Sequence, residues 1–147
     1  MPPLRFLLVA TSIVGLLHYY IGIRLLPDLL GPAWIHGLGW TMLVISAVLQ
    51  PLGLMLRGLP NERLRDLLSW VAMTAMGVFA SLLVFTALRD ILLIGAVAIN
   101  EIGVVTVNFN LLQTNTALLA IFLTLLLSVA GFINARKLAQ VVRLKYP

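Results

Sequence analysis

Four stretches of this chain contain no Asp, Glu, Lys or Arg: residues 6–23, 29–56, 67–88 and 102–135. A hydrocarbon core about 30 Å thick is crossed by about 20 helical residues rising ~1.5 Å each. Each charge-free stretch has about that length or more. The sequence therefore predicts an all-α membrane protein, a four-transmembrane-helix bundle built as one domain over residues 1–147. The expected spans are residues 4–26, 33–56, 64–93 and 112–134, followed by a basic tail at 135–147.

Composition agrees. Hydrophobic residues make up 61% of the chain and charged residues 10%, against roughly 25% charged in an average soluble domain. The formal net charge of +5 would raise nucleic acid as a partner for a soluble protein. Here the basic residues sit at helix ends with no basic stripe, so the expected partners are the bilayer and anionic headgroups at the cytoplasmic face, with no nucleic acid. The absence of cysteine excludes disulfides, thiolate catalysis and Cys-ligated metals. Arg5 followed by "FLLVATSIVGLL" has the basic and apolar parts of a signal peptide. The bulky "HYYIGIRL" that follows offers no small-residue cleavage site, so an uncleaved first span is expected.

Local punctuation divides the spans. Pro27 stops the first, and "PDLLGP" reads as a short turn. Pro51 is expected to kink the last turn of the second span, and Gly53 to ease close packing there. Within "RGLPNERLRD" (57–66), Asn61 suits the N-cap of the third helix, with Glu62 near its positive end. That span exceeds the minimum length, so it tilts or protrudes. Residues 95–113 read as an irregular or short helical loop, re-entrant or interfacial, because 105–110 alternate like a strand that lipid would leave unpaired. Thr114 or Asn115 is the expected cap of the fourth helix. Small residues at Gly131 and Ala135, and at Ala72, Ala75 and Gly77, mark candidate packing faces.

An even number of spans puts both termini and the 57–66 loop on one side. That side holds Arg5, Arg57, Arg63, Arg65, Arg136, Lys137, Arg143 and Lys145; the other holds only Arg24 and Arg89. The positive-inside rule then makes both termini cytoplasmic.

The candidate polar cluster comprises His18, Arg24, Asp28, Arg89 and Asp90, at or below the outer boundary. It could bind a headgroup or small anion. The plainer account has each arginine snorkelling to the interface beside a carboxylate. Cross-pairing of Arg24 with Asp90, or of Arg89 with Asp28, would tie spans 1 and 3 together. His18 lies about 9 Å deeper than Arg24 and is expected to donate a hydrogen bond to a neighbouring span, since one histidine cannot make a metal site. Tyr19 and Tyr20 suit an aromatic belt facing Trp34, His36 and Trp40, with Trp70 at the opposite boundary. No carboxylate lies mid-span, where a proton-coupled exporter would need one. No catalytic, cofactor-binding or metal-binding residue is expected, and the chain alone is not expected to be an enzyme.

"HYYIGIRLL", "AWIHGLGW", "LRDILLI" and "GFINARKLAQVVRLKYP" together resemble the N-terminal membrane region of bacterial membrane-anchored metallophosphoesterases of the calcineurin-like superfamily. The resemblance covers essentially all 147 residues. It implies a multi-pass domain of the bacterial inner membrane that anchors or positions a metallophosphoesterase-type catalytic domain or subunit. The Asp, His and Asn metal-ligand motifs of that module have no counterpart here, so no catalytic or metal residue is carried over. Two alternatives stand beside it: a small transporter or lipid-binding protein using the boundary cluster, and an accessory subunit of a membrane complex. An oligomer is compatible with each.

Overall fold

A computed structural model describes residues 4–55, 60–103 and 106–135. The described residues are helical almost throughout, with no strand among them. Helix α1 spans Leu4–Leu25 and runs into a 3-10 turn at Leu26–Asp28; α2 spans Ala33–Met55, α3 Glu62–Glu101 and α4 Phe109–Ala135. All four helices are long and apolar enough to cross a membrane. The expected basic tail and Arg57 lie outside the described residues.

Each boundary has a local cause. Proline has no N–H to continue a helix, and α1 gives way to the 3-10 turn at Pro27, closed by Leu29 N–H to the Leu26 carbonyl at 3.1 Å. The turn ends at Pro32, whose carbonyl accepts from Ile35 N–H at 2.9 Å as α2 begins. Helix α2 remains helical through Pro51 to Met55. Asn61 caps α3 as expected, its side-chain oxygen accepting from Leu64 N–H at 3.2 Å, with Glu62 in the first turn.

The third helix corrects the expected loop. It continues to Glu101, 40 residues in all, or roughly 60 Å at the standard rise. Residues 95–101, read as part of an irregular loop, are its final turns. The sequence 91–100 has no charge to stop it, and the turn comes only at Gly103, whose φ of 74° is a left-handed conformation that glycine adopts freely. Gly103 N–H closes on the Asn100 carbonyl at 3.0 Å. The strand-like alternation at 105–110 forms no strand among the described residues. Asn100 Oδ1 instead accepts from Val107 N–H at 3.3 Å, and Asn108 Oδ1 from Leu111 N–H at 3.2 Å. Asn108, rather than Thr114 or Asn115, is therefore the cap of α4, which begins several residues earlier than expected.

Helix α3 is the hub. It packs against α1, α2 and α4, while α1 also packs on α2 and the 3-10 turn touches both α2 and α4. The core is small: Ile21, Leu25 and Leu26 meet Leu43, Ala117 and Ala120, with Trp40, Phe79 and Leu82 packed around them. Gly53 and Ala72 bring α2 and α3 together, since a Cβ on Gly53 would lie 2.9 Å from that of Ala72. Gly131, by contrast, faces open space. Most other large apolar side chains point outward, among them Leu16, Met73, Ile94 and Phe122. A water-soluble monomer rarely exposes such continuous apolar surface; an acyl-chain environment solvates it.

Candidate functional site: a four-charge network joining three helices

Charged side chains in an apolar bundle must find partners, because desolvation without compensation is costly. Arg89 on α3 is 4% exposed, and all its donor nitrogens are engaged. Nη2 donates to the carboxylate of Asp28 in the 3-10 turn and, at 3.3 Å, to the Gln113 carbonyl. Nη1 donates to the Arg24 carbonyl at 2.8 Å, and Nε to Thr116 Oγ1 at 3.1 Å. Thr116 in turn donates along its own helix, lying 2.7 Å from the Leu112 carbonyl. One guanidinium thus holds the end of α1, the following turn and the first part of α4.

The contact with Arg24 has a specific origin. The last carbonyls of a helix have no intrahelical donor, and the C-terminus carries partial negative charge. Because Pro27 ends α1, the Arg24 carbonyl is accessible, and Arg89 supplies a charged donor to it.

The neighbouring Asp90 completes the set. Its Oδ2 accepts from Tyr20 Oη and from Arg24 Nε, both at 2.7 Å. Its Oδ1 lies 3.8 Å from Arg89 Nη1 and accepts no hydrogen bond among the described residues. The two arginines and two aspartates balance to zero. Both cross-pairs foreseen from the sequence, Arg24 with Asp90 and Arg89 with Asp28, are present. Arg24 is half exposed in the manner of a snorkelling residue, with its side chain 45% accessible. Arg89 does not snorkel; it is enclosed.

His18 belongs to a different site. Its Nδ1 lies 2.8 Å from the Val14 carbonyl, which can only accept, so Nδ1 carries the proton. Nε2 then accepts from Ser46 Oγ–H on α2 at 3.1 Å, and Gln50 Nε2 donates to that same oxygen at 3.4 Å. The ring stacks on Phe79 of α3 at 3.9 Å and 6°. This chain of bonds ties α1 to α2 and α3. The expected bond to a neighbouring span is present, but the imidazole accepts it from Ser46 instead of donating it, because its N–H is taken by Val14 of its own helix. None of its partners is one of the four charges.

Two contributors escaped the sequence reading. Tyr20, assigned to an aromatic belt, turns inward to Asp90; its spacing of four residues from Arg24, and of eight from Asp28, was the available signal, since such positions share a helix face. Thr116 had no sequence signal beyond being one of several hydroxyls near the start of α4. Tyr19 does keep to the exposed face, its ring 6.1 Å from that of Trp40. At the opposite end of the bundle, Trp70 meets Phe132 edge-on at 5.8 Å.

Among the described residues, no group of three or more His, Asp and Glu side chains converges on a point that could hold a metal ion. Comparison with family models, curated proteins and solved structures returned no match.

Proposed function

We propose that this chain is an integral anchoring and positioning domain of the bacterial inner membrane, with both ends at the cytoplasmic face, holding a metallophosphoesterase-type catalytic module beside anionic lipid. The observation that carries the anchoring role is the commitment of Arg89, the enclosed charge of the cluster, to partners within the bundle. Every donor nitrogen of Arg89 is bonded within the bundle, and the four charges cancel. Charges spent in this way clasp helices together. A transport path would keep them available to a passing solute, and the crevice beneath them is lined by apolar residues except Thr124. Four apolar helices and a basic excess of eight to two on one side support the orientation. The nature of the module rests on the resemblance of the boundary motifs.

Reporter fusions test the orientation. Green fluorescent protein joined after Pro147 is expected to fluoresce, and alkaline phosphatase inserted at 29–32 to be active; the reverse pattern refutes it. The module is tested by purifying the tagged full chain from its native membranes in mild detergent and measuring Mn²⁺-dependent hydrolysis of bis(p-nitrophenyl) phosphate. Activity enriched over an untagged control is expected. Its absence, in material that keeps its bound proteins, removes the phosphoesterase assignment.

A further inference from the structure

Beneath the ion-pair network lies a crevice of about 250 Å³. Leu26 and Leu29 line its outer end, Ile21 and Leu43 its depth, and Leu82 and Ile121 the opposite wall. Thr124, the one polar residue in the lining, donates its hydroxyl to the Ala120 carbonyl at 2.8 Å. A water molecule entering would find only the Thr124 hydroxyl oxygen as an acceptor, fewer than the two to four partners a buried water needs. Apolar cavities of even about 150 Å³ stay dry and accept apolar guests.

We propose that this crevice holds one acyl chain of a bilayer phospholipid. Its opening points to that occupant. Met42 on α2 and Leu125 on α4 both line it, yet they are 66% and 57% exposed. The crevice therefore opens sideways onto the apolar outer surface, between two helices that each pack on α3. In a bilayer that surface touches hydrocarbon chains. The space is also elongated along the helices: its lining runs from Ile35 to Leu43 on α2 and from Ile21 to Leu29 on α1 and the turn, about 12 Å in each case.

The outer end lies where α1 gives way to the 3-10 turn, beside the charged network. Leu29 directly follows Asp28. Arg24 spends its Nε on Asp90, while its two terminal nitrogens make no hydrogen bond among the described residues on a side chain 45% exposed. They offer positive donors to a lipid phosphate, one residue along the chain from Leu25 of the lining. This goes beyond the anchoring role and does not depend on it, since a topology reporter reads one and lipid retention the other.

The test is native mass spectrometry of the full chain extracted in mild detergent from membranes of phosphatidylethanolamine and phosphatidylglycerol. Wild type, and Leu126→Trp on the same helix but outside the lining, are expected to carry one phospholipid. Met42→Trp and Leu125→Trp fill the mouth with a ring and are expected to retain it about tenfold less, with helicity by circular dichroism unchanged. Equal retention by all four proteins overturns the proposal, as does a wild type with no bound lipid or with a free fatty acid lacking a headgroup. Should the tryptophan variants unfold, delipidated wild type is titrated with phosphatidylglycerol spin-labelled at mid-chain. A motionally restricted signal saturating at one label per chain supports the site, and unsaturable partitioning overturns it.

Discussion

Arg89 of α3 donates to the backbone carbonyl of Arg24 at the end of α1 across 2.8 Å. The same guanidinium reaches Asp28, Thr116 and the Gln113 carbonyl. A side chain that caps one helix while pairing with the turn after it fixes both where α1 stops and how α3 crosses it.

Replacement of Arg89 is therefore the most damaging single change expected in the molecule. Arg89→Ala leaves Asp28 without its cation and the Arg24 carbonyl without a donor. Breaking a buried pair by removing one partner costs about 3–5 kcal/mol. Arg89→Lys keeps the charge but loses the fork that contacts several acceptors at once, and is expected to fall between wild type and the alanine variant. Reversible unfolding in mixed detergent micelles measures both. An Arg89→Ala variant as stable as wild type would mean that the network has no structural role.

The hydrogen bond from Tyr20 to Asp90 is separable from the ion pair. Hydrogen bonds to charged groups contribute about 1.5–3 kcal/mol, so Tyr20→Phe is expected to lose an amount in that range. Asp90→Asn weakens the contacts with both Tyr20 and Arg24. The double variant should lose less than the sum of the two, because the residues share one oxygen, Oδ2. Additivity in the double-mutant cycle would show that the two side chains do not touch in solution.

Much of this was legible in the sequence, for reasons that can be stated. The helices announce themselves because lipid admits no unpaired charge over about 20 residues, and Asn61 announces a cap because its short side chain reaches a free N–H. The four charges were visible as exceptions to the apolar runs, and pairing was the affordable fate for each. The end of α3 was not legible. Arg89 and Asp90 look like a terminus only if charges must lie at water, whereas their pairing with Asp28 and Arg24 lets the helix run on for 11 residues past Asp90, about 16 Å. Tyr20 differed from Tyr19 in the sequence only by standing four residues before Arg24, and packing alone shows that this face, about 100° from that of Tyr19, turns inward.

The His18 site should tolerate paired replacement better than single replacement. Ser46→Ala removes the donor to Nε2 and leaves a buried acceptor unsatisfied, an expected loss of about 1–3 kcal/mol. His18→Phe with Ser46→Ala removes the buried imidazole and its donor together and keeps a ring to stack on Phe79, leaving only the half-buried Gln50 amide to lose an acceptor, so the double variant is expected to lose less than Ser46→Ala alone. Unfolding midpoints of the three proteins decide this. A double variant that loses more than Ser46→Ala alone would instead point to a requirement for the imidazole.

Glycine placement gives a contrast of opposite sign within one protein. At Gly53 a Cβ would lie 2.9 Å from the Ala72 Cβ, whereas at Gly77 a Cβ meets nothing within 4 Å. Gly53→Leu must push α2 off α3, at the roughly 1–3 kcal/mol typical of overpacking. Gly77→Leu has open space around it and replaces a poor helix former with a good one, worth roughly 1 kcal/mol in its favour. The first variant is thus expected to unfold at lower denaturant than wild type and the second at slightly higher. Crosslinking of cysteines placed on neighbouring turns of α2 and α3 should slow for Gly53→Leu alone. If Gly53→Leu were neutral while Gly77→Leu destabilised, α3 would have to present its opposite face to α2, and the contact between Gly53 and Ala72 would not exist.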